Sequence, residues 1–539
     1  MLSAYPILFL LSRNVIIIPI EQSFRSLVLS VGIAIAFISG FQLILKDWEK
    51  AGAICSLLII MFFSFGHFAN ALGNWSIKDI LILDISGLAW LWLFAFLLFT
   101  FMIIRSTLPE YFTGLLNIIS SAIVISSLVL IISAVVPIKQ DGHQVVEALS
   151  QSRRETETES PLLELSESEL PDVYYIVLDA YERADKLEEF YNYDNSYFVQ
   201  SLEDRGFYVA SSSRSNYLNT DYSLNTSLNL VYVHDLPIRL FVRTKYNLLT
   251  NHVSDFLRKQ GYQIVVFQSG TGDTDTQYKD IFVSSPSIQT REKPVINPFE
   301  QLLIRTTMGI MLFKQEPQHE NSKQAGDAFS SSVNRELSIR RERVNYALDH
   351  LPDYASRDGH YFLFAHIYLP HIPFLFGPDG EALKYHGNLN INWYQTAPEN
   401  YIEYYTYQIT YLNKAVLASI DAILEKSEKP VVIILQSDHG DDKFLDWGAP
   451  TAQGVDIRSA NLSAIYFSDG SYGSLYPTMT PVNTFRIIFN HWFATRYPLL
   501  PDKVFFHEFP TSTPPNAKPD FIDSCIKFNI CLPYPHSLP

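Results

Sequence analysis

Four stretches near the start of the chain, Arg25 to Leu45, Ala51 to Leu72, Leu81 to Ile104 and Tyr111 to Val136, are largely apolar, and each has about the 20 residues needed to cross a bilayer's hydrocarbon core. A backbone in lipid must satisfy its own hydrogen bonds, so each stretch is expected to be a helix. The run Tyr5 to Ile20 is apolar as well but shorter, and Ser12-Arg13-Asn14 interrupts it. A fifth span, a re-entrant piece and a signal-anchor remnant all fit this run, which lacks a small-residue cleavage site of the signal-peptide kind. Residues 1–138 therefore read as a polytopic helical membrane domain of four or five spans, and the mean hydropathy of +0.06 averages that part with a polar remainder.

Loop charges give the orientation. Lys46 and Lys50 lie between the spans Arg25 to Leu45 and Ala51 to Leu72, and Arg105 follows Leu81 to Ile104, whereas Gly73 to Lys78 carries a single Lys. The positive-inside rule puts Lys46, Lys50 and Arg105 in the cytoplasm. With five spans the C-terminal part then emerges on the extracytoplasmic side, and with four it does so if the N-terminus is outside. The spans hold few charges, which weighs against a transporter; Asp84 sits at a span edge rather than mid-membrane, where a coupling-ion site belongs.

Beyond Lys139 the texture changes. Residues 139–170, dense in Glu, Ser and Thr from Glu155 to Leu170, read as a solvated acidic linker. From Pro171 short β-branched or aromatic runs, Val173 to Leu178, Tyr262 to Gln268, Tyr361 to His366, Val431 to Gln436 and Ala464 to Ser468, alternate with helix-like stretches such as Leu337 to Leu351 and Tyr401 to Leu424. That alternation means an α/β sandwich with a largely parallel sheet, spanning 171–500 and followed by a Pro-rich tail, 501–539. The polar patch Gln315 to Ser332 is expected to be a loop inside it. The formal net charge of −16 excludes a nucleic-acid partner, since a phosphate backbone needs Lys and Arg to replace its counterions. The three cysteines form no zinc pattern, and Cys525 and Cys531 are either a disulfide or two free thiols.

Chemistry gathers at two places. Ser437-Asp438-His439-Gly440 follows the apolar run Val431 to Leu435, and Tyr174 to Asp179 is a second strand ending in an acid. In an open α/β sheet ligands collect at the carboxyl ends of the strands, and carboxylate with imidazole suits a divalent metal. Metal-assisted ester chemistry is the reading this supports. The blander readings are that Asp438 and His439 are turn residues and that Asp179 caps a helix leading into Glu182. Asp441 and Asp442 extend the acidic cluster but read as solvated loop carboxylates. Tyr401 to Tyr411 reads as a core stripe or a lipid or sugar groove.

Asp172 to Asp179 with Ala180-Tyr181, then Ser215 to Thr220, His366 to Phe374, Ser437 to Gly440 and Thr480 to Arg486 together resemble the membrane-bound sulfatase-like branch of the alkaline phosphatase superfamily, which includes lipoteichoic acid synthase and phosphoethanolamine transferases. The resemblance runs from about Pro171 to Asn490. It implies an alkaline-phosphatase-like sandwich in which Asp179, Thr220, Asp438 and His439 bind metal, Thr220 is the nucleophile, and His371 binds substrate or protonates the leaving group, with His366 assisting. Asp179 stands where many such families carry Glu. On its own spacing Thr220 is equally a helix N-cap, with Ser215, Ser223, Thr226 and Ser227 as other hydroxyls nearby, and His366 is equally a strand histidine. No Cys lies near Thr220, so the formylglycine route of sulfatases is disfavoured.

What the resemblance implies is a membrane-anchored phosphotransferase or phosphodiesterase, using one ion of Mn or Zn, with Mg or Ca as further candidates. It would move a phospho-headgroup from a membrane lipid or lipid-linked donor to an extracytoplasmic glycan or lipid acceptor. The alternatives are hydrolysis of phosphoric or sulfuric esters on the same fold, and a catalytically silent sensor or assembly factor.

Overall fold

The computed structural model describes residues 1–15, 18, 20–74, 85–107, 114–133, 170–236, 251–271, 274–275, 280–291, 296–312, 323–383, 400–507 and 520–532. The chain forms two compact units, one of Met1–Gln140 with Lys293–Glu320, the other of Asp141–Glu292 with Asn321–Pro539. Asp84 and the acidic stretch before Leu170 lie outside the described residues.

In the first unit, four helices among the described residues are long and apolar enough to cross a membrane: Ile20–Leu45, Trp48–Ala69, Gly87–Arg105 and Gly114–Ser133. The first two are joined by a tight corner. Lys46 takes the left-handed conformation at φ 53°, and the Asp47 carboxylate accepts from the amides of Glu49 and Lys50 at 3.0 and 3.1 Å, capping the next helix. The early apolar run gives the helix Tyr5–Asn14, whose 10 residues rise roughly 15 Å, about half the hydrocarbon thickness. The stretch Lys293–Glu320 also belongs to this unit. Its helix Pro298–Thr306 starts with a capping box between Asn297 and Glu300, and Phe299 is fully buried among Ile7, Leu11, Ile18 and Ile131.

The second unit is built on a seven-stranded sheet in the order β2-β7-β6-β1-β5-β3-β4. Its strands are β1 (Asp172–Leu178), β2 (Tyr208–Val209), β3 (Gln263–Phe267), β4 (Ile281–Val283), β5 (Tyr361–Ile367), β6 (Val431–Ser437) and β7 (Ser463–Phe467). β1 pairs in parallel with β5 and β6, β5 with β3, and β3 with β4, while β7 and β2 are antiparallel. The near-continuous apolar runs follow from burial on both faces. Along β1, Tyr174, Ile176 and Leu178 enter one core, with Leu412 and Val416 of the helix Tyr401–Lys426. Val173, Tyr175 and Val177 enter the other, with Phe485 and Phe489 of the helix Pro481–Trp492.

Two expectations need correction. Residues 315–322 of the polar patch lie outside the described residues, but from Lys323 the chain is helix, Lys323–His350, rather than loop. Leu337, Val344 and Leu348 are buried and anchor that helix, and extension backwards from a formed helix adds a hydrogen bond per residue without a new nucleus. Asp441 is buried rather than solvated, its carboxylate accepting from the hydroxyls of Tyr191 at 2.7 Å and Tyr401 at 2.5 Å. In the tail, β8 (Phe505–His507) pairs with β9 (Phe521–Asp523), and Cys525 and Cys531 are joined in a disulfide.

The central strands set the stability of this unit. Ile433→Ala on β6, where the side chain is fully buried, is expected to cost roughly 2–5 kcal/mol. Tyr197→Ala, at a side chain 81% exposed, should stay within about 0.5 kcal/mol. Thermal unfolding of the two purified variants checks the contrast.

Candidate metal centre

β1 lies between β5 and β6, so the carboxyl ends of three parallel strands meet at one place. The chain leaves β1 toward β2 at one edge and enters β3 and β4 on the other side, which makes this a switch point of the kind where α/β sheets bind ligands. Asp179 directly follows β1, His366 is near the end of β5, and Asp438 directly follows β6. All three are buried, and each offers a ligand atom within 4.8 Å of the others.

Backbone contacts hold these groups in place. Ala180 adopts φ 60°, which turns its amide onto Asp438 Oδ1 at 3.1 Å. The amide of Asp179 donates to the Ile367 carbonyl at 3.0 Å, and that of His371 to the Asp179 carbonyl at 3.2 Å. His439 donates from Nδ1 to the Gly440 carbonyl at 2.9 Å, an orientation that presents Nε2 as a lone pair, as metal-ligating imidazoles require. That Nε2 lies 3.2 Å from Asp438 Oδ2 and 3.1 Å from Thr220 Oγ1. Gly440 admits no side chain, since a Cβ there would stand 2.5 Å from Glu182 Oε2 and 2.8 Å from the Ile457 carbonyl.

Thr220 is the first residue of the helix Thr220–Asn229. The cap position falls to Asn219, so the Thr220 hydroxyl points at His439 rather than back at its own helix. Of the other hydroxyls, Ser223 donates to the Asp438 carbonyl at 2.6 Å, and Ser227 bonds Tyr175 inside the core at 3.1 Å. Ser215 and Thr226 are buried. Thr220 and His371 are half-buried, which leaves these two within reach of a substrate.

The electrostatics point to a cation. Neither oxygen of Asp179, nor Asp438 Oδ2, nor His366 Nε2 has a hydrogen-bond partner among the described residues, and all are buried. His366 Nε2 stands 3.3 Å from Asp179 Oδ2. Burial pushes the Asp179 carboxyl up, but the imidazoles of His371, His366 and His439 overcome it and hold Asp179 below the usual carboxylate range. Burial, with Arg458 beside it, holds His439 below the ordinary imidazole value, whereas at His366 burial is overcome by Asp179 and Asp438, which hold it above that value. Two carboxylates and two imidazoles form a hard oxygen-and-nitrogen donor set that fits a divalent metal. Beneath them burial raises Glu182 well above its normal value, and burial together with Asp442 pushes Asp441 up to about 6.

Asp179, Asp438, His439 and Thr220, singled out in the sequence, thus stand together, and His371 is tied to Asp179 through its backbone. His366 was expected beside the substrate or in the core; it lies against the carboxylates, as a third member of the buried group. Arg458 escapes sequence reading altogether. It bonds the carbonyls of Leu218 and Gly440 at 3.0 and 3.1 Å and approaches His439 Nε2 at 3.3 Å, yet it lies in the helix Ala452–Ser459 with no motif around it.

No protein-family model matches the sequence, and no curated protein does. Solved structures do. The likeness is to phosphoethanolamine transferases and the alkaline phosphatase superfamily. The C-terminal periplasmic domain of the phosphoethanolamine transferase EptC from Campylobacter jejuni is 13% identical, with a TM-score of 0.35 over 60% of this chain and 89% of that one. The integral membrane lipooligosaccharide phosphoethanolamine transferase A from Neisseria meningitidis is 12% identical, TM-score 0.32, over 87% and 88%. A protein in the alkaline phosphatase superfamily from Vibrio parahaemolyticus is 11% identical, TM-score 0.37, over 68% and 81%. Likeness at this level decides nothing about substrate.

His366→Ala and Asp438→Asn are each expected to weaken binding of Mn²⁺ or Zn²⁺ by more than about tenfold. Asp442→Asn, at a half-buried carboxylate outside the group, should leave it unchanged. Calorimetric titration of the metal-stripped protein reads the difference, and equal affinity in all three variants would remove the centre.

Proposed function

We propose that the chain is a membrane-anchored, metal-dependent phosphotransferase or phosphodiesterase that works through a covalent Thr220 intermediate, with the α/β unit on the extracytoplasmic side. The observation that carries the reading is the Thr220 hydroxyl at the start of a helix, 3.1 Å from His439 Nε2 and half-buried beside an otherwise buried acid-imidazole cluster. A hydroxyl near its free pKa is a poor nucleophile. Asp179, His366 and Asp438, with His439 beside them, would hold a divalent ion, which would supply Lewis-acid polarisation of that hydroxyl and of a phosphoryl oxygen. Mn and Zn suit the mixed carboxylate and imidazole set better than Mg or Ca, which prefer oxygen alone.

The chain's own residues supply the rest. Thr220 Oγ1 loses its proton to solvent and forms a bond to phosphorus as the bond from phosphorus to the lipid oxygen breaks, and the helix it opens offers first-turn amides to the phosphoryl oxygens. His371 hands a proton to the departing oxygen. An acceptor hydroxyl on a glycan or lipid then attacks phosphorus, giving its proton to His371, as the bond from phosphorus to Thr220 breaks and Thr220 takes a proton back from solvent; water in its place makes the same site a hydrolase. Arg458, buried behind His439, keeps the surroundings positive toward an anionic ester.

The full chain in detergent is expected to release nitrophenolate from a phosphodiester analogue with Mn²⁺ or Zn²⁺ present, and Thr220→Ala to lower kcat by at least about 10³. Parallel assays with phosphomonoester and sulfate ester analogues decide the ester class. Turnover that survives in Thr220→Ala rejects the nucleophile, and a metal-loaded, folded chain inert toward all three esters favours the silent sensor.

A further inference from the structure

Within the membrane unit lies a cavity of about 480 Å³ lined mostly by apolar side chains, among them Phe9, Ile60, Phe63 and Leu303. It is a built feature. One wall comes from the stretch Lys293–Glu320, which is fixed there by several contacts. Glu300 accepts from Arg25 Nε at 2.6 Å and also from Arg25 Nη2, and Asn297 donates to the Gln22 carbonyl at 2.9 Å. Gly66 lets the backbone at Thr306 approach so closely that a Cβ would stand 2.3 Å from the Thr306 carbonyl carbon.

Two basic side chains, Arg13 and His67, also line the cavity, and among the described residues no carboxylate does. Arg13, in the last turn of Tyr5–Asn14, stacks on Phe9 at 5.4 Å, and among the described residues no ion pair is made by either Arg13 or His67. Among the described residues of this wall the carboxylate is Glu300, which is already held by Arg25. Both side chains are exposed at the rim of this apolar space, where a cation is placed to meet an anionic headgroup. Ligands of drug-like bulk fill cavities of about 300–1,000 Å³, so the space accepts an acyl chain and leaves a headgroup at the basic rim.

We infer that this cavity binds a glycerophospholipid, one acyl chain inside and the phosphate on Arg13 and His67. The described lining residues all belong to the membrane unit, and none of them is among the residues given to the ester chemistry. Native mass spectrometry of the full chain in detergent tests it, with phosphatidylglycerol or diacylglycerol added. A single phospholipid is expected to bind, with affinity about tenfold lower in Arg13→Gln with His67→Gln, abolished by cavity-filling Leu303→Trp, and kept in Arg13→Lys. Diacylglycerol binding as tightly as phospholipid overturns the inference, and so does unchanged phospholipid affinity in the folded double variant. If either variant fails to fold, the comparison of the two lipids on the unaltered chain decides alone. Turnover is not read, so this outcome and that of the Thr220 assay are separable.

Discussion

Two carboxylates brought within a few ångströms of each other and out of water cannot both stay ionised without a counter-charge, and Asp179 and Asp438 are in that position. Much of what surrounds them serves to make this tolerable. Three imidazoles stabilise the charge on Asp179, the Ala180 and His439 amides satisfy one oxygen of Asp438, and the remaining oxygens are left for a ligand. The left-handed turn at Ala180 belongs to the same arrangement, since its amide reaches Asp438 while its carbonyl accepts from the Tyr405 hydroxyl at 2.7 Å. A non-glycine residue held in that conformation has to be stabilised by its surroundings, and here both of its peptide groups are engaged.

The layer beneath explains the tyrosines. Tyr401 and Tyr405, which read from the sequence as core or as a groove, are buried and bond the polar atoms behind the site. Tyr405 also accepts from the Glu182 amide at 3.2 Å, and Glu182 in turn accepts from the Asp441 amide at 2.8 Å. With burial holding Glu182 protonated, this acid acts as a neutral hydrogen-bonding brace rather than as a rival charge next to Asp179. The positions of Asp179 and of the loop carrying Asp438 and His439 are thus coupled through one network of side chains, not set by each strand end separately.

The fold was legible where burial on both faces leaves a continuous apolar run. β1, β3, β5, β6 and β7 each stand out for that reason, and the acids after β1 and β6 stand out because a charged residue ends such a run. The run Phe207 to Ala210 reads as a strand as well and holds β2, whereas β4 is an edge strand of three residues, too brief for any period to show. His366 is ambiguous in sequence because a strand histidine looks the same whether it meets solvent, core or a metal; only the register of β5 on β1, which pairs His366 with Val177, brings it beside Asp179. Arg458 and the wall Lys293–Glu320 were invisible for a related reason. Each depends on contacts made far along the chain, and Pro298 to Leu312 carries no span-like length to mark it as a partner of membrane helices.

The rule that governs the metal centre also governs the membrane unit, with the signs exchanged. In the α/β unit a surplus of buried carboxylate calls for a cation. In the membrane unit the surplus among the described residues is basic: Arg25 finds its anion in Glu300 of the same unit, while no described carboxylate lines the cavity with Arg13 and His67. Had the wall brought a second carboxylate to that cavity, the charges would have closed on themselves and the space would be only a packing defect. Its wall instead carries apolar and hydroxyl side chains, Leu303, Thr306 and Thr307, which suit an acyl chain along their length and leave the anion to come from the lipid. The two readings, a metal in one unit and a lipid phosphate in the other, thus rest on charges of opposite sign: buried carboxylates in the α/β unit and exposed cations at the rim of an apolar cavity in the membrane unit.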